Sequence, residues 1–300
     1  MMAHLAVNVL GTLQIAVADA PLARFESDKV RALLAYLTVE ADRPHRREAL
    51  IGLFWPDSPE EAAARHSLRQ ALSNLRRAIG DHTAQPPYLL TTRDDIRFNT
   101  DSDYALDVAD FNAQLAAREG HAHSRSTMCG DCVPHLQQAV ALYRGKFLQE
   151  FFLEDSTEFE EWALVQREAL HQRALDALIL LADYFEQHRN WPAARSHAAR
   201  QLELDPWREE AHRQFMRVLM REGQRSAALA QYETCQRVLS KELGIEPARE
   251  TRELYERIRS GNWLQPTASD LLTSSTSLPL PVSNLPAQLT SFIGRERELA

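Results

Sequence analysis

The 300-residue chain, 44% hydrophobic and 25% charged, has the composition of an ordinary globular protein with room for two or three domains. Its formal net charge of −8, from 34 basic and 42 acidic side chains, excludes a polybasic nucleic-acid coat. No apolar run reaches the roughly 18–20 residues of a membrane helix, and Ala177–Ala182 already stops at Asp183. Three cysteines (Cys129, Cys132, Cys235) cannot frame a chain this long with disulfides, which points to a reducing cytoplasm.

The first twenty residues are apolar, but no Lys or Arg precedes Arg24, so the positive region of a signal peptide is missing and the segment reads as strand. Leu5, Val7 and Val9 alternate, then Leu13, Ile15 and Val17, with Gly11-Thr12 between them. Two strands joined at a glycine-containing turn fit that pattern. Val30, Leu33, Leu34 and Leu37 form one helical stripe with Ser27 ahead of it as N-cap. A short helix follows over Arg47–Leu53 and ends at Trp55-Pro56-Asp57-Ser58-Pro59. A third helix runs from about Glu60 to Ile79, with Leu68, Leu72, Leu75 and Ile79 on one side and Gly80 as its stop. Tyr88–Asn99 returns to strand-like sequence broken at Arg93-Asp94-Asp95, a hairpin.

Charge is unevenly distributed. Residues 1–98 hold 12 basic and 12 acidic groups, so residues 99–300 carry the whole negative balance. Within the neutral part, Ala62–Gly80 contains Arg65, Arg69, Arg76 and Arg77 and no acid. Helical angles put Arg65, Arg69, Ser73 and Arg76 on one flank, and His66, Gln70 and Asn74 also lie off the leucine stripe. A DNA major groove admits one helix, and Arg, Gln and Asn suit base edges and phosphates. A solvated arginine face is the plain alternative. The order short helix, turn, helix, hairpin favours a winged helix-turn-helix.

From about Phe111 to Ser260 the pattern is helical, interrupted at 120–134. That interruption contains His121, His123, Cys129 and Cys132, whose side chains suit a closed structural zinc site without an open catalytic position. A polar loop, a redox dithiol and coincidence fit the same residues. Further on, Leu181, Phe185, Ala194, Ala198 and Gln201 are matched 34 residues later by Phe215, Leu219, Ala228, Tyr232 and Cys235. This is the period of a two-helix repeat, completed by flanking helices at 158–180 and 248–259. Pro206 closes the first unit, whereas Ser240 stands at the matching place in the second. Cys235 is expected as a small buried packing residue, and His171, His188, His197 and His212 as surface or partly buried structural histidines. Residues 261–284 form a Ser/Thr/Pro-rich linker without helical period.

Residues 1–110 resemble the OmpR-type winged helix that opens regulators of the bacterial transcriptional activator domain family, which includes the antibiotic regulatory proteins. The resemblance rests on Leu10-Gly11, Arg31–Leu37, Leu53–Ser58 and Leu68–Arg77. Residues 111–260 resemble the helical activator domain of the same family through Leu142–Leu148, Phe159–Trp162 and Glu242–Pro247. The fold so implied is mainly α: an N-terminal winged helix-turn-helix (α+β) followed by a tetratricopeptide-like α-helical repeat domain. The resemblance implies a sequence-specific transcriptional activator. It would bind double-stranded DNA at promoter repeats, contact RNA polymerase and pair as a homodimer on DNA. It makes the helix at 60–79 the recognition helix and Leu89–Phe98 the wing, with Thr92 and Arg93 at its tip. Lys29, Arg31, Arg46 and Arg47, near helix starts, would anchor phosphates. The wing departs from the family, having Arg93-Asp94-Asp95 where glycines are usual, so Arg93 alone suits a minor groove there.

Residues 285–300, from Leu285-Pro286 to Gly294-Arg295-Glu296-Arg297, look like the entry segment of a signal-transducing P-loop ATPase. ATP would be a cofactor only if such a domain followed residue 300. Within the chain there is no Gly-x-x-x-x-Gly-Lys-[Ser/Thr], Gly-x-Ser-x-Gly or His-Glu-x-x-His, and no catalytic role is expected. The competing readings are a protein-interaction scaffold and the regulatory front end of a larger ATPase.

Overall fold

Alternating apolar residues at the start of the chain build the first sheet. In the computed structural model, which describes residues 4–22, 25–58, 60–118 and 128–262, β1 (Leu5–Asn8) pairs antiparallel with β2 (Gln14–Val17), Leu5 opposite Val17. Gly11, with φ of +118°, lies in the connection, a backbone region that residues with a Cβ rarely enter. The two-residue β3 (Ala20–Pro21) pairs antiparallel with β2 at the edge of the sheet.

Three helices follow: α1 (Asp28–Val39), α2 (Arg47–Phe54) and α3 (Glu61–Ala78). Val30, Leu33, Leu34 and Leu37 of α1 are all buried. Ser27 holds the N-cap position, yet its side chain makes no capping bond. In α3 the stripe Leu68, Leu72, Leu75, continued by Ile79, is buried against α1 and α2. Each such side chain contributes about 2 kcal/mol through burial. Gly80, at φ +67°, ends the helix. A second sheet is ordered β4-β6-β5, from β4 (His45–Arg46), β5 (Leu89–Thr91) and β6 (Asp95–Phe98). Then β7 (Tyr104–Leu106) returns to the first sheet and lies parallel to β1.

The rest is helical: α4 (Asp107–Ala117), α5 (Cys132–Leu142), α6 (Thr157–Gln187), α7 (Trp191–Leu204), α8 (Glu209–Arg221), α9 (Arg225–Leu243) and α10 (Arg249–Ser260). The 34-residue period is visible in the elements themselves, since α6 and α8 end, and α7 and α9 begin, that far apart. Ala194, Ala198 and Gln201 of α7 and Ala228 and Cys235 of α9 are buried at matching positions. Lacking a proline, α9 runs beyond Ser240 to Leu243. Leu254 and Ile258 of α10 close the second unit over Met216, Leu219 and Ala228. No helix among the described residues is long and apolar enough to cross a membrane.

The boundary expected at residue 110 does not divide the core. One hydrophobic cluster runs from Leu5 and Val7 through the three N-terminal helices to Tyr143, Phe147, Phe159 and Leu170. Asp107, the first residue of α4, accepts hydrogen bonds from the Val9 and Leu10 amides (2.9 and 3.0 Å) and from Arg144 Nη2 (2.7 Å). Burial pushes its carboxyl above the ordinary range. The strand end crosses the turn after α5, with Leu148 N donating to Val9 O (2.8 Å) and Gly11 N to Lys146 O (3.1 Å). A Cβ at Gly145 would stand 3.3 Å from Gly11 Cα, so the two backbones approach where side chains would not fit. Residues 263–300, which include most of the expected linker and the ATPase-like segment, lie outside the described residues.

Candidate nucleic-acid interface

Burial of the leucine stripe turns the opposite side of α3 outward. Arg65, His66, Arg69, Gln70, Ser73 and Arg77 are exposed, and Asn74 is half-buried. Their charge environments differ. Arg69 Nε donates within the helix to Arg65 O at 3.3 Å. Arg65 Nη2 lies 2.5 Å from Glu61 and 4.0 Å from Glu48. Towards the helix end, Glu26 from the segment before α1 accepts a hydrogen bond from Asn74 Nδ2 and pairs with Arg77 Nη1 at 3.7 Å. Those pairs are exposed and worth little, so a phosphate can compete for them.

Arg76 does not join that surface. It turns towards the hairpin, where its Nε lies 3.3 Å from the buried Asp81 carboxylate and its Nη2 donates to Thr91 Oγ1 at 2.8 Å. Asp81 also accepts from Leu89 N at 2.9 Å, so one Arg–Asp pair fastens the end of α3 to β5. Sequence reasoning placed Arg76 on the reading flank and missed Asp81, although an Asp directly after the terminal Gly80 was a usable signal.

Two expected phosphate anchors are also engaged elsewhere. Lys29 Nζ pairs with Asp155 at 2.8 Å and lies 5.5 Å from the centre of the Trp55 ring. Arg31 pairs with Asp28 at 3.0 Å and stacks its guanidinium 5.2 Å from the centre of Phe151. The segment between α5 and α6 covers this end of α1, so both cations hold the helical part in place. Arg46 and Arg47 divide. Arg46 is exposed on β4 opposite Asp95. Arg47 is latched to the wing, its amide donating to Asp94 O (2.9 Å) and its Nη2 to Thr92 O (3.1 Å).

The wing turn dispenses with glycine because a side chain closes it. Thr92 Oγ1 accepts from the amides of Asp95 (2.9 Å) and Asp94 (3.3 Å), which leaves Arg93 exposed at the tip. The surface thus comprises the outer side of α3, Arg46 and Arg93.

Of the four expected zinc ligands, His121 and His123 lie outside the described residues. Cys129 and Cys132 come together at the start of α5 with their sulfurs 3.4 Å apart. Burial and the neighbouring thiol push Cys132 up. Among the described residues no three His, Cys, Asp or Glu side chains gather as a metal site. Of the histidines expected as structural, His171, His197 and His212 lie in helices, where burial lowers their pKa below the usual 6.5, while His188, just past α6, stacks on Tyr184. Cys235 is fully buried, and its thiol is pushed up to about 12.

Comparison with known proteins gives two family matches. The family described as bacterial transcriptional activator domain matches residues 106–259, and that of the C-terminal domain of transcriptional regulatory proteins matches residues 26–95. The chain is similar to the regulatory protein AfsR of Streptomyces griseus, 28% identical over 275 residues covering 90% of this chain and 26% of AfsR. It is similar also to the transcriptional regulatory protein MoaR1 of Mycobacterium tuberculosis, 26% identical over 258 residues, 84% of this chain and 78% of MoaR1. It thus spans only about a quarter of the length of AfsR. Among solved structures, Mycobacterium tuberculosis EmbR in complex with a low-affinity phosphopeptide matches with a TM-score of 0.64 at 24% identity, covering 91% of this chain and 69% of EmbR. That likeness shows the fold, a small winged-helix region followed by helical repeats.

Proposed function

Since the chain belongs to the bacterial transcriptional activator domain family, we propose that it binds specific double-stranded DNA by laying α3 in the major groove and regulates transcription from there. Arg69, Gln70, Ser73 and His66 read base edges, Arg65, Arg77 and Arg46 contact phosphates, and Arg93 reaches the adjacent minor groove from the wing. Arg76, Arg47 and Thr92 act one step back, holding the wing at a fixed angle to α3. Lys29 and Arg31 have no DNA role in this scheme.

A single observation supports it most: beyond Glu61 the α3 sequence holds no acid, and its outer side exposes Arg65, Arg69 and Arg77 while its leucines are buried. Activation through RNA polymerase, binding as paired copies at repeated half-sites and a cytoplasmic location belong to the same proposal, as does a regulatory rather than catalytic role.

The test is a salt series on the full chain with a DNA site obtained by binding-site selection. Arg69→Ala should weaken specific binding by about 1–3 kcal/mol if the side chain reads a base. If it contacts a phosphate, the slope of log affinity against log salt should fall by about 1. An unchanged affinity together with an unchanged slope would take α3 out of the interface and leave a protein-binding scaffold.

A further inference from the structure

Independently of DNA reading, a pair of thiols stands at the entrance to the helical part. Cys132 N donates to Cys129 O at 3.2 Å and Val133 N to Gly130 O at 3.2 Å, so Cys129-Gly130-Asp131-Cys132 forms a tight turn running into α5. The turn brings the two sulfurs to 3.4 Å. A disulfide needs about 2.05 Å, a closure that small torsional changes within one turn accomplish. The two thiols differ in access: Cys132 is fully buried, whereas Cys129 is partly exposed. An incoming reagent therefore meets Cys129 first, with the Cys132 sulfur 3.4 Å from it. The third cysteine, Cys235, is buried in α9.

We propose that Cys129 and Cys132 form a reversible thiol–disulfide site, oxidised by disulfides of low-molecular-weight thiols. The Cys129 thiolate attacks one sulfur of the small disulfide, forming a mixed disulfide and releasing one small thiolate. Cys132 then loses its proton to solvent and attacks Cys129 Sγ, expelling the second thiolate. Two protein thiols lose two electrons, the small disulfide gains two, and the released thiolates take up the two protons. The site lies against the repeat stack: a side chain at Gly130 would touch Tyr184 Oη of α6. Val133, one residue beyond the pair, packs with Leu136 against Leu181. Closing the disulfide would lock the turn that leads into α5, where α5 packs on α6.

The site is tested on untagged full chain treated with oxidised glutathione, acid-quenched, denatured and alkylated. Wild type should fall from three alkylatable thiols to one, and dithiothreitol should restore all of them. Cys132→Ser should instead stop at a glutathione adduct on Cys129. Cys129→Ser, a change at the more exposed position, should slow loss of the Cys132 thiol on the order of tenfold or more. A glutathione adduct that persists on wild-type Cys129 overturns the proposal. So does one zinc per chain that shields both thiols until a chelator is added.

Discussion

Arg76 and Arg77 are adjacent, yet one side chain reaches inward to a buried carboxylate and the other outward to an exposed one. The angle of 100° between neighbours on a helix makes that divergence unavoidable, and the partner decides what each cation does. Buried histidines show the same dependence on partners. His212 has Nε2 at 2.9 Å from Pro206 O and Nδ1 at 2.7 Å from Gln231 Nε2. Those contacts suit the neutral ring protonated on Nε2, which donates to the carbonyl and accepts from the amide. Burial lowers its pKa against the opposing pull of Pro206 O, Glu209 and Asp205, so the unfolded chain takes up the proton first as pH falls. The stability gained from keeping His212 neutral is complete above about 6.5, its unfolded value, and is lost below it; His171 and His197 act with the same sign. The titration of Asp107 and Asp183, raised by burial, has the opposite sign: stability from it grows as pH falls and is lost as pH rises through the raised carboxyl pKa. The melting temperature should therefore drop between about pH 7.5 and 5.5, and His212→Gln should flatten the drop. A variant with the wild-type slope would show that His212 is not a source of it. Little of this was legible in the sequence, because a histidine on a helix does not reveal what lies above it; His212 faces a carbonyl six residues back and an amide nineteen residues on.

The elements themselves were easier to read. Stripes at Leu68, Leu72, Leu75 and at Val30, Leu33, Leu37 announce helices because burial selects one side, and β1, β2 and the hairpin follow from alternation. The repeat was visible because packing of α7 on α6 and of α9 on α8 needs small residues at the same places. The two-residue strands β3 and β4 were not, since so short a segment carries no period, and the parallel partner of β1 comes from a hundred residues away. Relations between elements escaped for the same reason. The clamp between α3 and the wing depends on Asp81, buried to 4% exposure and bound by both Arg76 and Leu89 N. Asp81→Asn should cost about 1–3 kcal/mol by weakening those bonds. It should also lower DNA affinity although every exposed α3 side chain is retained. Chemical denaturation and a DNA titration of the same sample check both. Full affinity in a destabilised variant would mean that wing and helix need no fixed angle.

At the scale of the whole molecule, the winged helix and the first helices of the repeat part share one hydrophobic cluster. Phe54 packs 5.5 Å from Phe159, and Ser156 Oγ donates to Phe54 O at 3.1 Å. Trp162 lies 4.9 Å from Tyr36 and donates to Glu40 at 2.9 Å. The sequence motifs suggested two consecutive domains because motifs are local, whereas these contacts join residues more than a hundred positions apart. Residues 1–110 produced alone should consequently lose the cover over Phe54, Tyr36 and β1. They should melt well below the full chain or aggregate, as followed by circular dichroism and light scattering. A truncated chain as stable as the whole would contradict the shared core. Asp107, the Gly11–Gly145 crossing and the Lys29–Asp155 pair all bridge the junction and tie the winged-helix part to the helical part. If α3 docks as proposed, the operator sets the compass bearing of the helical stack around the duplex axis. Moving the operator by about five base pairs would carry the stack to the far side, and about ten would bring it back.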